Sequence, residues 1–459
     1  MKRAVLQPAL MRKGASGEAN ADYVRKLSRM IACRTVWTHE GEYNAEFERF
    51  YAVIDELFPH IAARAEKLTF GGGCFVYVIK GRNAKKNIML MSHHDVVDGS
   101  EDWHTDPFQA VEQDGYLYGR GTIDTKTPLF AELQAAEELL AEGYDFEGIN
   151  LYIGSSNNEE VCGDGMVLAA AYFREQGIRF YTVLDEGGAI TEGQIPGVAC
   201  KSAVVAVHEK SRHLFRCTAA LETKGHGGFG GAKDSAAERL SCFIAEVSDK
   251  KGGIYRGRFY PEVRATFERH VPYMTFPMNF LFGHIGIFSP IIKKIMMGIP
   301  AASAMLSTGL SFTTVSAGDA RDPQIRAKTA EATMFLRCVR EDDLYAGLEK
   351  IKRIGEKYGV SIAEIERDYC RPTDFEGEAF KTVEAVLHDH FPDVAVAPFL
   401  LTAGTDARRF TDVADNILRF APIDLNKKQF ASIHGADEHI GIGNIGECVV
   451  FYKDLIKKI

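Results

Sequence analysis

Two adjacent histidines and an aspartate close a short apolar run in "LMSHHDVVDG", Leu90 to Gly99. In an H-x-D arrangement the Asp95 carboxylate can accept the far ring N–H of His93, which fixes the tautomer and leaves the other nitrogen for a metal. Three further polar clusters follow short apolar runs. "YGRGTIDTK" places Asp124 after a glycine-framed turn, "IGSSNNEEVCGDG" carries Glu159 and Glu160, and "FYTVLDEGG" carries Asp185 and Glu186. A fourth, "SIHGADEH", supplies His434. Singly, each has an ordinary explanation as a solvated loop. Together, imidazole and carboxylate ligands without thiolate suit a hydrolytic zinc site, including a dinuclear one with a bridging carboxylate.

Such a cluster needs elements that bring its parts together. From Ala21 to Lys201, helical patterns such as "EFERFYAVIDELF", "LFAELQAAEELLAEG" and "GMVLAAAYFREQG" alternate with strand-like runs such as "NIMLM", "INLYIGS" and "FYTVLD". This alternation predicts an α/β fold with a mostly parallel sheet flanked by helices. In such sheets ligands bind beyond the carboxyl ends of the strands, where several of these clusters fall, with His434 placed before the final helix. After Lys210 the pattern becomes strand, helix, strand, helix, read as an inserted α+β domain. The expected division is residues 1–211 and 371–459 for the catalytic domain and 212–370 for the insertion, with an extra apolar segment at 253–310.

The chain has 459 residues and a net charge of −9, which disfavours a nucleic-acid partner. Nine cysteines without C-x-x-C spacing argue against a disulfide framework and for a reducing, cytoplasmic setting. The N-terminus does not read as a signal peptide. The apolar stretch Phe276 to Ile299 is broken by His284, Pro290, Lys293 and Lys294, so no stable membrane insertion is expected. A peripheral membrane contact is the lesser alternative.

The order H-x-D, G-R-G-x-x-D, E-E, D-E-G and a late H resembles the dinuclear-zinc peptidase and deacylase family that includes glutamate carboxypeptidase, aminoacylase, acetylornithine deacetylase, carnosinase and carboxypeptidase S. The resemblance implies two zinc ions per chain, with cobalt or manganese accepted by the same ligands. His93 and Asp185 would bind one, Glu160 and His434 the other, and Asp124 would bridge them. Glu159 would be the general base, and His94 has no metal role. Where many relatives carry two successive aspartates joined by a cis peptide, this chain has Asp124 and Thr125.

The resemblance extends to the insertion, which it implies is a ferredoxin-like lid and dimerisation domain giving a homodimer. "TKGHGG" matches a motif whose histidine, here His226, would stabilise the oxyanion of the partner subunit's site. "QIRAKTAEATMFLR" matches a stretch that grips the substrate carboxylate through Gln324, where Asn is usual, and Arg337. "TAGTDARRF" matches a substrate loop, so Gly404, Thr405, Asp406 and Arg408 would line the pocket. The branch nearest in pattern is that of carboxypeptidase S, which has a similar apolar insertion. The leading expectation is a zinc carboxypeptidase acting on short peptides, with an N-acyl amino acid amidohydrolase or a dipeptidase as alternatives. A non-catalytic binding protein on the same fold is the alternative of another class, although all five ligands and Glu159 are retained.

Overall fold

The structure is a computed structural model that describes residues 11–99, 102–221, 235–319, 321 and 324–459. Its larger sheet has ten strands among the described residues, and the expected α/β architecture is present. Lys86–Met91 lies between Ile149–Ser155 and Phe180–Asp185, parallel to both, and Phe180–Asp185 is parallel in turn to Ala414–Arg419. Four residues of Lys86–Met91 are fully covered, which is why "NIMLM" shows no alternation: helices bury both faces. The helix Lys126–Ala141 is buried on nearly every side, its polar Glu132, Gln134 and Glu137 included, and packs against the C-terminal helix Ile442–Lys458. Its first residue, Lys126, is buried and donates to the carbonyls of Met30 and Cys33.

A second, four-stranded antiparallel sheet runs in the order Gly309–Ala317, Thr329–Cys338, Ser211–Ala220, Val360–Asp368. Its elements follow in sequence as βαββαβ, the ferredoxin-like pattern. Ser211–Ala220 and Thr329–Cys338 alternate buried and exposed positions, as a sheet covered on one face must. The covering helices are Ala236–Ile254, opened by a Ser235–Glu238 capping box, and Glu341–Tyr358, closed by Gly359 at φ +64°.

The apolar segment between them is helical and packs outside this small sheet. Pro261–His270 lies along the strand Ala395–Leu401, where the Thr266 hydroxyl donates to the Pro398 carbonyl at 2.7 Å. That contact covers strand backbone that would otherwise be open to pairing. Met278–Gly283, Ile285–Met297 and Pro300–Leu306 follow. Phe282, Ile285, Ile292, Met296 and Leu306 share an apolar cluster with Ile195 and Leu400 of the large domain. None of the nine cysteines is disulfide-bonded.

Candidate metal centre

His93 sits two residues past the strand Lys86–Met91 and is buried. Its Nδ1 lies 2.8 Å from the backbone carbonyl of Asp95, whereas the Asp95 carboxylate stands at 3.4 Å. The carbonyl accepts the ring proton and leaves Nε2 as the metal-binding atom. Asp95 therefore faces Nδ1 with both its carbonyl, the nearer acceptor, and its carboxylate. Asp95 spends its carboxylate on the next strand end, with Oδ1 accepting the Glu159 N–H at 3.1 Å and Oδ2 the Glu160 N–H at 3.0 Å. His94 points the other way, its ring stacked on Phe50 and its Nδ1 2.8 Å from the Ser155 hydroxyl. Burial holds it well below the ordinary histidine pKa, a neutral core residue.

Asp124 lies between the two other imidazole contacts. Its Oδ1 is 2.9 Å from His93 Nε2, and its Oδ2 is 3.0 Å from His434 Nε2. His434 Nε2 is also 3.2 Å from Glu160 Oε2. His93, Asp124 and Glu160 each offer a ligand atom within 4.8 Å of the others. The Asp124–Thr125 peptide bond is cis, and the Thr125 hydroxyl donates to the His93 carbonyl at 2.9 Å. Asp185 ends its strand with Oδ1 accepting the Glu186 N–H at 2.9 Å and Oδ2 accepting that of Ala407 at 2.8 Å.

The electrostatics of this cluster call for positive charge. Burial works to raise the Asp124 pKa, yet hydrogen bonds from His434 and His93 hold it well below the carboxylate range. Asp124 and Glu160 in return push His434 up to about 10. Burial, reinforced by Asp406, lifts Asp185 to about 7. Glu159 is pushed well above the usual range by burial and by Asp406, Asp95 and Asp124, and Glu186 by burial and by Asp185 and Asp124. Glu160 Oε1 is buried with no hydrogen-bond partner among the described residues. An orphaned carboxylate oxygen beside two imidazoles and a ring of carboxylates fits a divalent cation.

Peptidase family M20/M25/M40 matches residues 89–458, most of the chain. The chain belongs to this family. It is 28% identical over 444 residues to the N-fatty-acyl-amino acid synthase/hydrolase PM20D1 of Xenopus tropicalis, covering 95% of this chain and 85% of the relative. It is 27% identical over 454 residues to the probable carboxypeptidase S-like 2 of Dictyostelium discoideum, covering 96% and 85%. Its fold is similar to that of the M20 family metallo-carboxypeptidase Sso-CP2 from Sulfolobus solfataricus, with a TM-score of 0.66, 17% identity and coverage of 95% and 99%. Human carnosine dipeptidase 1 gives a TM-score of 0.62 at 14% identity, covering 96% and 97%. The protein is thus an M20 hydrolase, an enzyme of a metal-dependent family.

Around this M20 centre the outer residues divide. Arg337 lies at the end of Thr329–Cys338, half-buried, with its Nε unpartnered among the described residues. A Cβ placed on Gly404 would meet Arg337 Nη2 at 2.6 Å and Arg408 Nη1 at 2.4 Å, so only glycine lets both guanidinium groups come this close. Arg408 is nevertheless committed, donating to Asp368 at 2.6 Å and to the Thr405 carbonyl at 2.8 Å. Thr405 is buried and donates through its hydroxyl to Glu209 at 2.9 Å. Asp406 is buried too, accepting from the Ser156 hydroxyl at 2.5 Å and acting on Asp185 and Glu159 from behind. The loop expected to line a pocket is therefore largely internal, with Gly404 its open point.

Gln324 is exposed and lies five residues before Thr329–Cys338, whereas Arg337 lies near that strand's far end. The strand carries Arg337 roughly 26 Å from Thr329, so the two side chains are set by different parts of the fold, Gln324 by the turn before the strand and Arg337 by its far end. His226 falls outside the described residues. Two residues not singled out beforehand are Arg120, of the G-R-G turn, and Glu438, four residues past His434. They form a buried ion pair between the Asp124 and His434 loops. A charged pair inside two glycine-containing loops was the available signal, but nothing local marks them as partners.

Proposed function

We propose that this M20 enzyme hydrolyses an amide bond next to a residue bearing a free carboxylate, releasing that residue from the acyl side. The observation that carries this reading is the half-buried Arg337 guanidinium beside Gly404, its Nε without a partner among the described residues, a planar fork suited to a carboxylate. His93, Asp124, Glu160, Asp185 and His434 would hold two metal ions, zinc in the leading reading and cobalt or manganese as substitutes. When bound, these would activate a water at neutral pH and polarise the scissile carbonyl.

The protein's own groups do the rest. Glu159, whose main-chain N–H is anchored by Asp95, takes a proton from the attacking water and delivers it to the leaving nitrogen. His226, by the family resemblance, would stabilise the oxyanion from the partner of a homodimer. Arg337 fixes the leaving residue, so that its amide faces Glu159.

The acyl side separates two readings. A peptide makes the protein a carboxypeptidase, in keeping with the carboxypeptidase S-like relative. A fatty acyl group makes it an N-acyl amino acid hydrolase, favoured by the PM20D1 relatives and by the apolar insertion that ends where Gly309 pairs with Arg337. The test compares kcat/KM for Gly-Leu-type peptides, fatty-acyl amino acids and the same compounds with amidated carboxylates. The proposal expects amidation to lower kcat/KM sharply in whichever series is turned over. Equal turnover of acid and amide would overturn it.

No helix among the described residues is long and apolar enough to cross a membrane. A reducing compartment remains part of the proposal, supported by nine unpaired cysteines.

A further inference from the structure

The insertion leaves a continuous part of its apolar surface uncovered. Its inner face is buried through Phe282, Ile285, Ile292 and Met296. Its outer face exposes Phe276 at 80%, Phe280 at 49%, Ile287 at 74%, Ile291 at 56%, Ile295 at 58% and Ile299 at 50%. Ile287, Ile291 and Ile295 recur every four residues along the helix Ile285–Met297, so they form one stripe, and Ile299 follows just past its end. Isolated exposed apolar residues are ordinary, but a stripe of this kind marks a surface that something covers.

The charge around the stripe identifies what fits. From Arg269 through Gly318 the sequence contains neither Asp nor Glu, in a chain whose net charge is −9. Within this segment Arg269 is occupied by Glu376 and Glu384, and Lys293 is half-buried on the far side of the helix, which leaves Lys294 as the segment's cation flanking the stripe. Lys294 is exposed between Ile291 and Ile295, and its long stem can lie along apolar surface while the ammonium reaches outward. A second copy docking face to face would bring like charges together with no acidic residue in the segment to offset them. An anionic lipid surface satisfies both features, accepting the isoleucines below the headgroups and the Lys294 ammonium among them.

We propose that Met278–Gly283 and Ile285–Met297 form an interfacial foot that docks this enzyme on anionic bilayers. The helix Ile285–Met297 has 13 residues and so extends about 20 Å, too short to span a hydrocarbon core of about 30 Å. It lies on the membrane and does not cross it. The foot is attached close to the candidate site: Lys210 donates to the carbonyls of Ala304 at 3.0 Å and Ser307 at 2.8 Å, where the segment joins the strand beginning at Gly309. Docking is independent of whether the substrate is a peptide or an acyl amino acid.

The test is co-sedimentation of the full chain with vesicles of phosphatidylcholine alone and of phosphatidylcholine mixed with phosphatidylglycerol. The wild type should be recovered with the mixed vesicles and released by salt. Ile291→Asp should bind roughly tenfold more weakly, and Lys294→Glu should also bind more weakly. Both should retain wild-type hydrolysis of a water-soluble substrate, showing that they fold. Equal recovery with both vesicle compositions, or with neither, overturns the proposal. So does a concentration-dependent dimer that Ile291→Asp dissolves while vesicle recovery stays unchanged.

Discussion

Arg120 and Glu438 are 318 residues apart in sequence and meet in a buried ion pair, Nη1 to Oε2, at 2.6 Å. The other Glu438 oxygen accepts the N–H of Ile123 at 2.7 Å and that of Asp124 at 3.1 Å, while Arg120 Nη2 donates to the Gly435 carbonyl at 2.8 Å. One pair thus positions the loops of both Asp124 and His434. Glu438→Gln keeps the shape and strands a buried guanidinium, at a cost of about 3–5 kcal/mol. Metal affinity should fall roughly 10–100-fold, as when other supporting groups around a metal are lost. Thermal unfolding and a metal titration of the metal-depleted protein check both; wild-type values would show that the pair is dispensable.

Glu159→Gln separates holding a metal from using it. Asp95 grips only the main chain of Glu159, so the substitution leaves that anchor in place. Metal content should match the wild type while kcat falls about 10²–10⁴-fold, the range for removing a general base. Near-normal turnover would take Glu159 out of the role.

Arg337→Gln should act on binding of the carboxylate. Loss of a charge-assisted contact predicts kcat/KM lower by roughly 10–100-fold on substrates with a free carboxylate, and little change on their amides. Equal losses on both would point to a structural role for Arg337.

Glu262 supplies a pH dependence away from the metal site. Burial would raise its carboxyl, but hydrogen bonds from His208 and Arg340 outweigh this and hold it at about 2, against an ordinary 4.5. Because the folded value is depressed, its stabilisation is complete above about 4.5 and is lost as the pH falls toward 2. The difference corresponds to on the order of 3 kcal/mol. Glu262→Gln should lower the melting temperature at pH 7 and flatten the decline between pH 4.5 and 2. An unchanged acid profile would remove the pair from the account.

The strand-end placement of His93, Glu160 and Asp185 was legible because buried parallel strands leave short, unbroken apolar runs with their polar residues just beyond. The ferredoxin-like order was legible for a related reason, since Ser211–Ala220 and Thr329–Cys338 alternate as one-sided strands do. What escaped depends on long-range partners. The Asp95 carbonyl is a nearer acceptor for His93 than its carboxylate, whose oxygens also accept main-chain N–H groups more than sixty residues away. Arg408 reads as a substrate cation until Asp368 is seen against it. Gln324 and Arg337 read as parts of one stretch, yet Gln324 precedes the strand Thr329–Cys338 and Arg337 lies near that strand's far end. Spacing along the chain reports neither which acceptor wins a donor nor how far a strand carries its ends from each other.

The central claim, a centre that binds two metal ions and performs hydrolysis, is tested most directly by elemental analysis of freshly purified protein and of His93→Ala, each paired with a hydrolysis assay. The account predicts about two zinc ions per chain in the wild type, with metal and activity falling together in the variant. Absence of bound metal, with no activity after zinc, cobalt or manganese is added, would contradict it.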